Sequence, residues 1–153
     1  MKAISLWQPW ASAIALGLKK IETRSRMTLY SGELAICAAK YVSPDTEQIF
    51  KVLQARDCSL KYTFEQATAQ TDPSIEHLPL GCVVAVVNLL EPVRTEMLNT
   101  ISPLERMLGD YFYGRYGWIL KDIRALREPV PVVGRQFLFN LPAEVEAKVR
   151  AQL

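Results

Sequence analysis

The feature that most constrains the fold of this chain is an apolar run near its middle. Residues 81–90 read GCVVAVVNLL, which includes four valines and no charged side chain. Branching at Cβ favours extended backbone, because such side chains fit a pleated surface better than a helix. The run therefore predicts the central strand of a β-sheet.

Shorter segments on both sides of this run predict the rest of the sheet. GELAICAA, at residues 32–39, is apolar enough for a strand buried on both faces. Further strands are expected in KAISL at residues 2–6, KKIETRS at 19–25, GWILKDIRAL at 117–126 and RQFLFNL at 135–141.

Helical segments are expected between these strands. Pro9 suits the first position of a helix that Gly17 ends in a left-handed cap. Ser43 begins a second helix, SPDTEQIFKVLQARD, and Ser102 begins a third. The tail PAEVEAKVRAQL predicts a closing helix, whereas residues 57–79 predict a long loop or a frayed helix.

The order of these elements indicates the fold class. No repeat, low-complexity tract or linker divides the chain, so residues 1–153 are expected to form one domain. Five to six strands with inserted helices and no regular βαβ alternation predict a mixed α/β (α+β) fold. The expected architecture is a small β-barrel with flanking helices packed on its outside.

Composition narrows the functional classes. No apolar run approaches the roughly 20 residues of a membrane span, and the start of the chain lacks a secretory signal. We therefore expect a cytoplasmic protein with no membrane partner. The three cysteines are an odd number without a C-x-x-C pair, and His77 is the only histidine. We expect no metal, no cofactor and no disulfide, with Cys37 and Cys82 in the core.

Positive charge is concentrated at the start of the chain. The formal net charge is +2, yet residues 1–40 alone carry six basic and two acidic side chains. A protein that holds a long duplex through its phosphates is usually more basic than this. A local basic patch suits a short nucleic-acid strand or a small anion, and a solvated protein face accounts for the same count.

The segment LGLKKIETRS contains the strongest candidate site. In a strand, residues two apart share a face, so Lys20, Glu22 and Arg24 are expected to project together. Lys19 lies at the bend before them, where its direction is not fixed. A Glu22–Arg24 pair keeps an arginine fork oriented for the polar edge of a base. An ordinary salt bridge would use the same residues.

Aromatic side chains gather in two places. Trp7 and Trp10 lie at the start of the first helix, and DYFYGRYGWIL, at residues 110–120, contains three tyrosines. Stacking of a base on an aromatic ring contributes about 1–3 kcal/mol. Packing in the core is the expected role of Phe112 and Trp118, whereas Tyr116, between two glycines, is expected to be exposed.

Several of these segments together resemble the ASCH domain family. The family signature G-x-K-x-x-E-x-R is present without a gap as Gly17, Lys19, Glu22 and Arg24. Other stretches that resemble stand-alone bacterial and phage members are SLWQPWA, GELAICAAK ending in Lys40, GCVVAVVNLLE, YGRYGWIL and VPVVGRQFLFNL. The resemblance covers most of the chain, except residues 44–78 and the final helix.

The resemblance implies a PUA-like β-barrel in which the signature residues line a cleft beside the first helix. It also implies single-stranded RNA, or a nucleotide with a modified base, as the ligand. Among the small members of this family, some are amidohydrolases of N4-acetylcytidine and others are ribonucleases. In the amidohydrolases a threonine nucleophile stands at the signature position where this chain has Glu22.

Three functions follow from the residues and the resemblance together. The first is a binding module for single-stranded RNA or a modified nucleoside. In it Lys19, Arg24 and Lys40 contact phosphate or a base edge, and Glu22 accepts hydrogen bonds from base amino groups. The remaining ligand contacts are assigned to Gln8, Trp10 and Tyr116.

The second function is a metal-independent nucleic-acid enzyme in the same cleft, either a ribonuclease or an N4-acetylcytidine amidohydrolase. Its catalytic residues would be Lys19, Glu22 and Arg24, with Lys19 as general base and Glu22 as a second proton carrier. The third function is a protein-binding adaptor. The base, its modification and the oligomeric state stay open at this point.

Overall fold

The computed structural model describes residues 1–41 and 78–153. The helix expected at residues 43–57, the cysteine Cys58 and the histidine His77 lie outside the described residues. The same holds for nearly all of the segment 57–79. The fold is therefore described from the remaining parts of the chain.

A curled, mixed sheet of seven strands forms a half-barrel, with the order β2-β6-β4-β3-β1-β7 and β5 paired to β6. β1 and β3 are parallel, and the other neighbours are antiparallel. The strands are β1 (Lys2–Leu6), β2 (Ile21–Arg24), β3 (Gly32–Ala38), β4 (Cys82–Leu89), β5 (Val93–Arg94), β6 (Tyr116–Pro131) and β7 (Leu138–Asn140). The expected small mixed barrel is confirmed, and β4, from the valine-rich run, pairs on both sides.

Within residues 1–41 and 78–153, three α-helices accompany the sheet: α1 (Trp10–Ala15), α2 (Pro103–Met107) and α3 (Ala143–Arg150). Gly17, with a φ of 73°, turns the chain in the left-handed region directly after α1. The Ser102 hydroxyl accepts a hydrogen bond from the Glu105 amide and so caps α2. The expected helix ends at Gly17 and Ser102 are therefore confirmed. No helix in the described residues is long and apolar enough to cross a membrane.

Strand alternation sends side chains into two cores, one on each face of the sheet. In β1, Ile4 and Leu6 pack in one cluster with Ile14 of α1. Ala3, the residue before Ile4, packs on the other face with Val145 and Val149 of α3. Each face of the sheet is therefore covered by a helix, which explains why β3 and β4 are apolar at nearly every position.

Two expected elements differ from the structure at their ends. RQFLFNL is a strand only over Leu138–Asn140, because Phe137 has a φ of 59° and cannot continue a β-ladder. The closing helix ends at Arg150, so Leu153 lies beyond it and is partly exposed. β5 and the extension of β6 to Pro131 were not expected from the sequence.

The parallel pairing of β1 with β3 brings polar and aromatic side chains together at one edge of the sheet. Parallel strands end at the same edge, so the residues that follow β1 and β3 become neighbours. Trp7 follows β1, and Lys40 with Tyr41 follows β3. The loop between β6 and β7, residues 132–137, reaches the same edge.

Candidate functional site

Lys19 of the G-x-K-x-x-E-x-R segment lies in the interior of the protein. Its side chain is fully buried. Nζ donates hydrogen bonds to the carbonyl oxygens of Ile21, at 2.6 Å, and Leu108, at 2.8 Å. The Glu22 carboxylate is the third neighbour, with Oε2 at 3.4 Å. Two backbone carbonyls therefore accept hydrogen bonds from the ammonium within the protein, and the Glu22 carboxylate lies close enough to compensate its charge.

This geometry places the charge of Lys19 inside the protein, and a contact between Lys19 and a ligand stays a prediction. Leu108, at the end of α2, supplies an acceptor 89 residues away in sequence. Glu105 of the same helix accepts hydrogen bonds from the amides of Lys20 and Ile21. Lys19 and Glu105 together attach α2 to the start of β2, so the signature lysine has a structural role here.

Glu22 connects the buried lysine to a more exposed arginine. Its Oε1 lies 3.8 Å from Nε of Arg24, while its Oε2 faces Lys19. The guanidinium of Arg24 lies over the Trp118 ring, 5.7 Å from its centroid. The carboxylate and the indole therefore restrain Arg24, whose side chain stays about one-third exposed.

A cleft of about 1340 Å³ opens at the shared edge of β1 and β3. Arg24, from the end of β2, lines one part of it, and Lys40 and Arg135 line others. Within the described residues, Glu144 is the one carboxylate in the lining. The cleft therefore carries an excess of positive charge, which favours an anionic ligand.

Three aromatic rings with large exposed surfaces line the same cleft. Trp7 is 55% exposed, Tyr41 is 76% exposed and Phe137 is 63% exposed. Cations accompany two of them: the Arg26 guanidinium lies 5.3 Å from the Phe137 centroid, and Lys40 Nζ lies 6.0 Å from that of Tyr41. Exposed rings beside cations suit a ligand that has both flat bases and phosphates.

The loop that carries Arg135 and Phe137 approaches β1 closely. A side chain at Gly134 would collide with the Ser5 hydroxyl, so a larger residue there would force Ser5 to shift. Phe137 itself adopts a positive φ, which is uncommon for a bulky residue and turns its ring outward instead of into the ladder. Backbone strain of this kind clusters at ligand sites.

Three further predicted ligand residues lie outside the cleft lining. Gln8 is fully buried, where its Oε1 accepts from the Ser12 amide and its Nε2 donates to the Pro79 carbonyl. Both ends of its amide are therefore occupied within the protein, and its assignment as a ligand contact stays a prediction. Trp10, at the start of α1, and Tyr116, at the start of β6, are half-buried and do not line the cleft.

The structure thus divides the seven predicted site residues. Arg24 and Lys40 both line the cleft, and Glu22 pairs with Arg24 from the interior side. Sequence reasoning missed Tyr41, Arg135 and Phe137 as members of the site. Their one signal in the sequence was position, since Tyr41 lies just after one predicted strand and Arg135 and Phe137 lie in the first half of another. Within residues 1–41 and 78–153, no group of three His, Cys, Asp or Glu side chains is arranged to hold a metal ion.

Comparisons with known proteins agree with this architecture. The sequence profile of the ASCH domain matches residues 4–112. An ASCH protein from Zymomonas mobilis superimposes with a TM-score of 0.58 at 20% identity, covering 98% of this chain and 93% of that one. A mutant of the same protein gives a TM-score of 0.54 at 19% identity, covering 98% and 94%. At this identity the likeness establishes the fold.

Two curated relatives are much longer proteins. Activating signal cointegrator 1 of Homo sapiens is 23% identical over 147 residues, and that of Mus musculus is 22% identical over the same length. The alignments cover 93% of this chain and 22% of each relative. The chain therefore spans about a fifth of their length. Because the family profile spans well over half of the sequence, this chain belongs to the ASCH domain family.

Proposed function

We propose that the chain binds single-stranded RNA in the cleft at the shared edge of β1 and β3. The observation that carries the proposal is the combination, in one cleft, of three cations with three largely exposed aromatic rings. The cations are Arg24, Lys40 and Arg135, and the rings are those of Trp7, Tyr41 and Phe137. Membership of the ASCH family supports the same ligand class.

The physical argument rests on what a single strand presents. Its bases are unpaired and stack on aromatic faces, while its phosphates pair with lysine and arginine. A closed duplex offers phosphates without free base faces, so exposed rings would gain nothing from it. The net charge of +2 and the local character of the basic patch agree with a short strand rather than a long duplex.

Glu22 and Lys19 take positioning roles in this proposal. Glu22 holds Arg24 against Trp118, and Lys19 compensates the charge of Glu22 from the interior. The same contacts argue against Lys19 as the general base of a nuclease or an amidohydrolase. A base must reach the substrate with a free lone pair, whereas this group is buried, donates hydrogen bonds to two backbone carbonyls and pairs with the Glu22 carboxylate.

The experiment is a fluorescence-anisotropy titration of a labelled, 12-nucleotide single-stranded RNA. The test variant is Lys40→Ala combined with Arg135→Ala, which removes two cleft cations. The matched control is Lys121→Ala combined with Arg127→Ala, which removes the same charge from exposed positions of β6 outside the cleft.

We expect the test variant to bind at least about tenfold more weakly than the wild type, because two phosphate contacts are lost. The control is expected to stay within about twofold of the wild type. Equal weakening in both variants would indicate non-specific attraction by net charge and would overturn the assignment of the cleft. Absence of binding by the wild type at low salt would overturn the proposed function itself.

A further inference from the structure

A second stacked pair lies outside the cleft lining, between Arg94 of β5 and Tyr116 of β6. The guanidinium carbon of Arg94 lies 4.3 Å from the centroid of the Tyr116 ring. Nη1 of Arg94 also donates a hydrogen bond to the Gly114 carbonyl, at 3.3 Å. Arg94 is exposed, so its side chain packs against the tyrosine and still reaches solvent.

The loop beneath Arg94 is held in place by its own hydrogen bonds. The Thr95 hydroxyl donates to the Phe112 carbonyl at 2.8 Å, and the Gly114 amide donates to the Glu96 carboxylate at 3.3 Å. The position of the Gly114 carbonyl, and with it that of Arg94, is therefore fixed before any ligand arrives. Among the described residues, no carboxylate forms a salt bridge with Arg94.

The sheet register connects this pair to the cleft. Tyr116 lies directly opposite Arg24 on β2 and directly opposite Arg94 on β5. Residues directly opposite one another in a ladder share a face of the sheet, so the three side chains form one row. Two strand spacings separate the Cα atoms of Arg24 and Arg94 by about 10 Å. That span equals about three nucleotide rises of about 3.4 Å.

We propose that the guanidinium of Arg94, stacked on Tyr116, is a second base-stacking position that extends the cleft site. It follows that the ligand is a strand of several nucleotides rather than a single nucleoside. One end of the RNA lies in the cleft, and the RNA follows the row of side chains from Arg24 to Arg94. This inference rests on the proposed function and adds that its ligand is several nucleotides long.

A guanidinium suits this role because it is planar and weakly hydrated, so it stacks on a tyrosine with one face and on a base with the other. Lysine has the same charge without the plane. The substitution Arg94→Lys therefore separates a stacking contact from a phosphate contact, which a substitution to alanine alone does not.

The experiment measures competition of unlabelled uridine oligonucleotides of one, three, six and nine nucleotides against a labelled nonamer. Wild type, Arg94→Ala and Arg94→Lys are compared with Arg127→Ala, which removes an exposed charge outside both sites. We expect both Arg94 variants to bind the nonamer about tenfold more weakly, with the mononucleotide unaffected. Thermal unfolding of each variant checks that the fold is retained.

Three outcomes would overturn the inference. If Arg94→Ala binds the nonamer like the wild type, while the double variant of Lys40 and Arg135 weakens it, the second position is absent and the cleft proposal stands. If Arg94→Lys restores full affinity, Arg94 contacts a phosphate and is no stacking platform. If the wild type binds no oligonucleotide of any length, the proposed function fails together with the inference.

Discussion

The ammonium of Lys19 and the carboxylate of Glu22 form a buried ion pair, with Nζ 3.4 Å from Oε2. The pair lies on the interior side of Arg24, and Oε1 of the same carboxylate is 3.8 Å from Nε of that arginine. The G-x-K-x-x-E-x-R segment therefore runs from the interior to the cleft. Its lysine stabilises the fold, its glutamate orients the Arg24 side chain, and its arginine is the member that lines the cleft.

Replacement of Lys19 tests the structural role. Lys19→Met leaves the carbonyls of Ile21 and Leu108 without a donor and Glu22 without its counter-charge. Breaking a buried pair in this way lowers the free energy of unfolding by about 3–5 kcal/mol. Urea denaturation measures the loss, with Lys20→Met at the exposed neighbouring position as control. A loss below about 1 kcal/mol in the Lys19 variant would contradict the buried contacts.

Phe137 separates the effect of the ring from that of the backbone. Phe137→Ala and Phe137→Gly both remove the ring, so each is expected to weaken RNA binding by about tenfold. Because Phe137 has a φ of 59°, glycine is expected to be more stable than alanine there by about 1 kcal/mol. Anisotropy and urea denaturation measure the two quantities. Equal stability of the two variants would argue against the left-handed backbone, and unchanged affinity would remove the ring from the site.

Local signals in the sequence were sufficient for much of the fold. The valine-rich run predicted β4, and Gly17 and Ser102 predicted helix ends, because strand propensity and caps depend on a few adjacent residues. The parallel pairing of β1 with β3 depends on residues about 30 positions apart and has no local signal. That pairing creates the edge at which Trp7 and Lys40 meet.

The burial of Lys19 shows why the site was harder to predict than the fold. A lysine in a charged segment is rarely fully buried, and the strand alternation did not fix the direction of Lys19, so the sequence predicted a ligand contact and gave no sign of burial. Its acceptor on Leu108 is brought close by tertiary packing of α2. Phe137 is the converse case, since an aromatic residue in an apolar stretch points outward because of its positive φ.

Acid is expected to weaken a charge network that joins β3, β6 and α3. The carboxylate of Glu33 accepts hydrogen bonds from Arg124 at 2.8 Å and from Arg150 at 3.1 Å. These bonds, that of Arg124 most of all, hold the pKa of the Glu33 carboxyl below its ordinary value. A carboxyl with a lowered pKa in the folded state stabilises the protein above its unfolded pKa, and this stabilisation is lost as the pH falls through the folded pKa.

Glu33→Gln is therefore expected to lower the melting temperature by about 1–3 °C at pH 7 and to have little effect below about pH 3. Thermal unfolding followed by circular dichroism across this pH range measures the difference. Glu128→Gln, at an exposed position that no described arginine or lysine pairs with, is the control. An effect of Glu33→Gln that is equally large at pH 3 and pH 7 would contradict the ionic origin.

The buried cysteines are expected to resist modification in the folded protein. Burial raises the pKa of the Cys37 thiol to about 12, and burial also raises that of Cys82. Since the thiolate is the reactive form, both are expected to be unreactive toward a disulfide reagent at pH 8. The variant Cys58→Ser isolates these two thiols, which should both react after unfolding in guanidinium. Rapid reaction of either thiol in the folded variant would contradict its burial.

The central claim, that the cleft between the ends of β1 and β3 holds single-stranded RNA, is tested most directly by NMR titration of the ¹⁵N-labelled protein with an RNA hexamer. The indole of Trp7 and the side-chain amides of Gln136 and Asn140 line the cleft, whereas the amide of Gln152 donates to the Glu128 carbonyl outside it. The account predicts saturable shifts of the Trp7, Gln136 and Asn140 signals while that of Gln152 stays constant. Saturable shifts elsewhere on the protein, with these three signals unmoved, would contradict it.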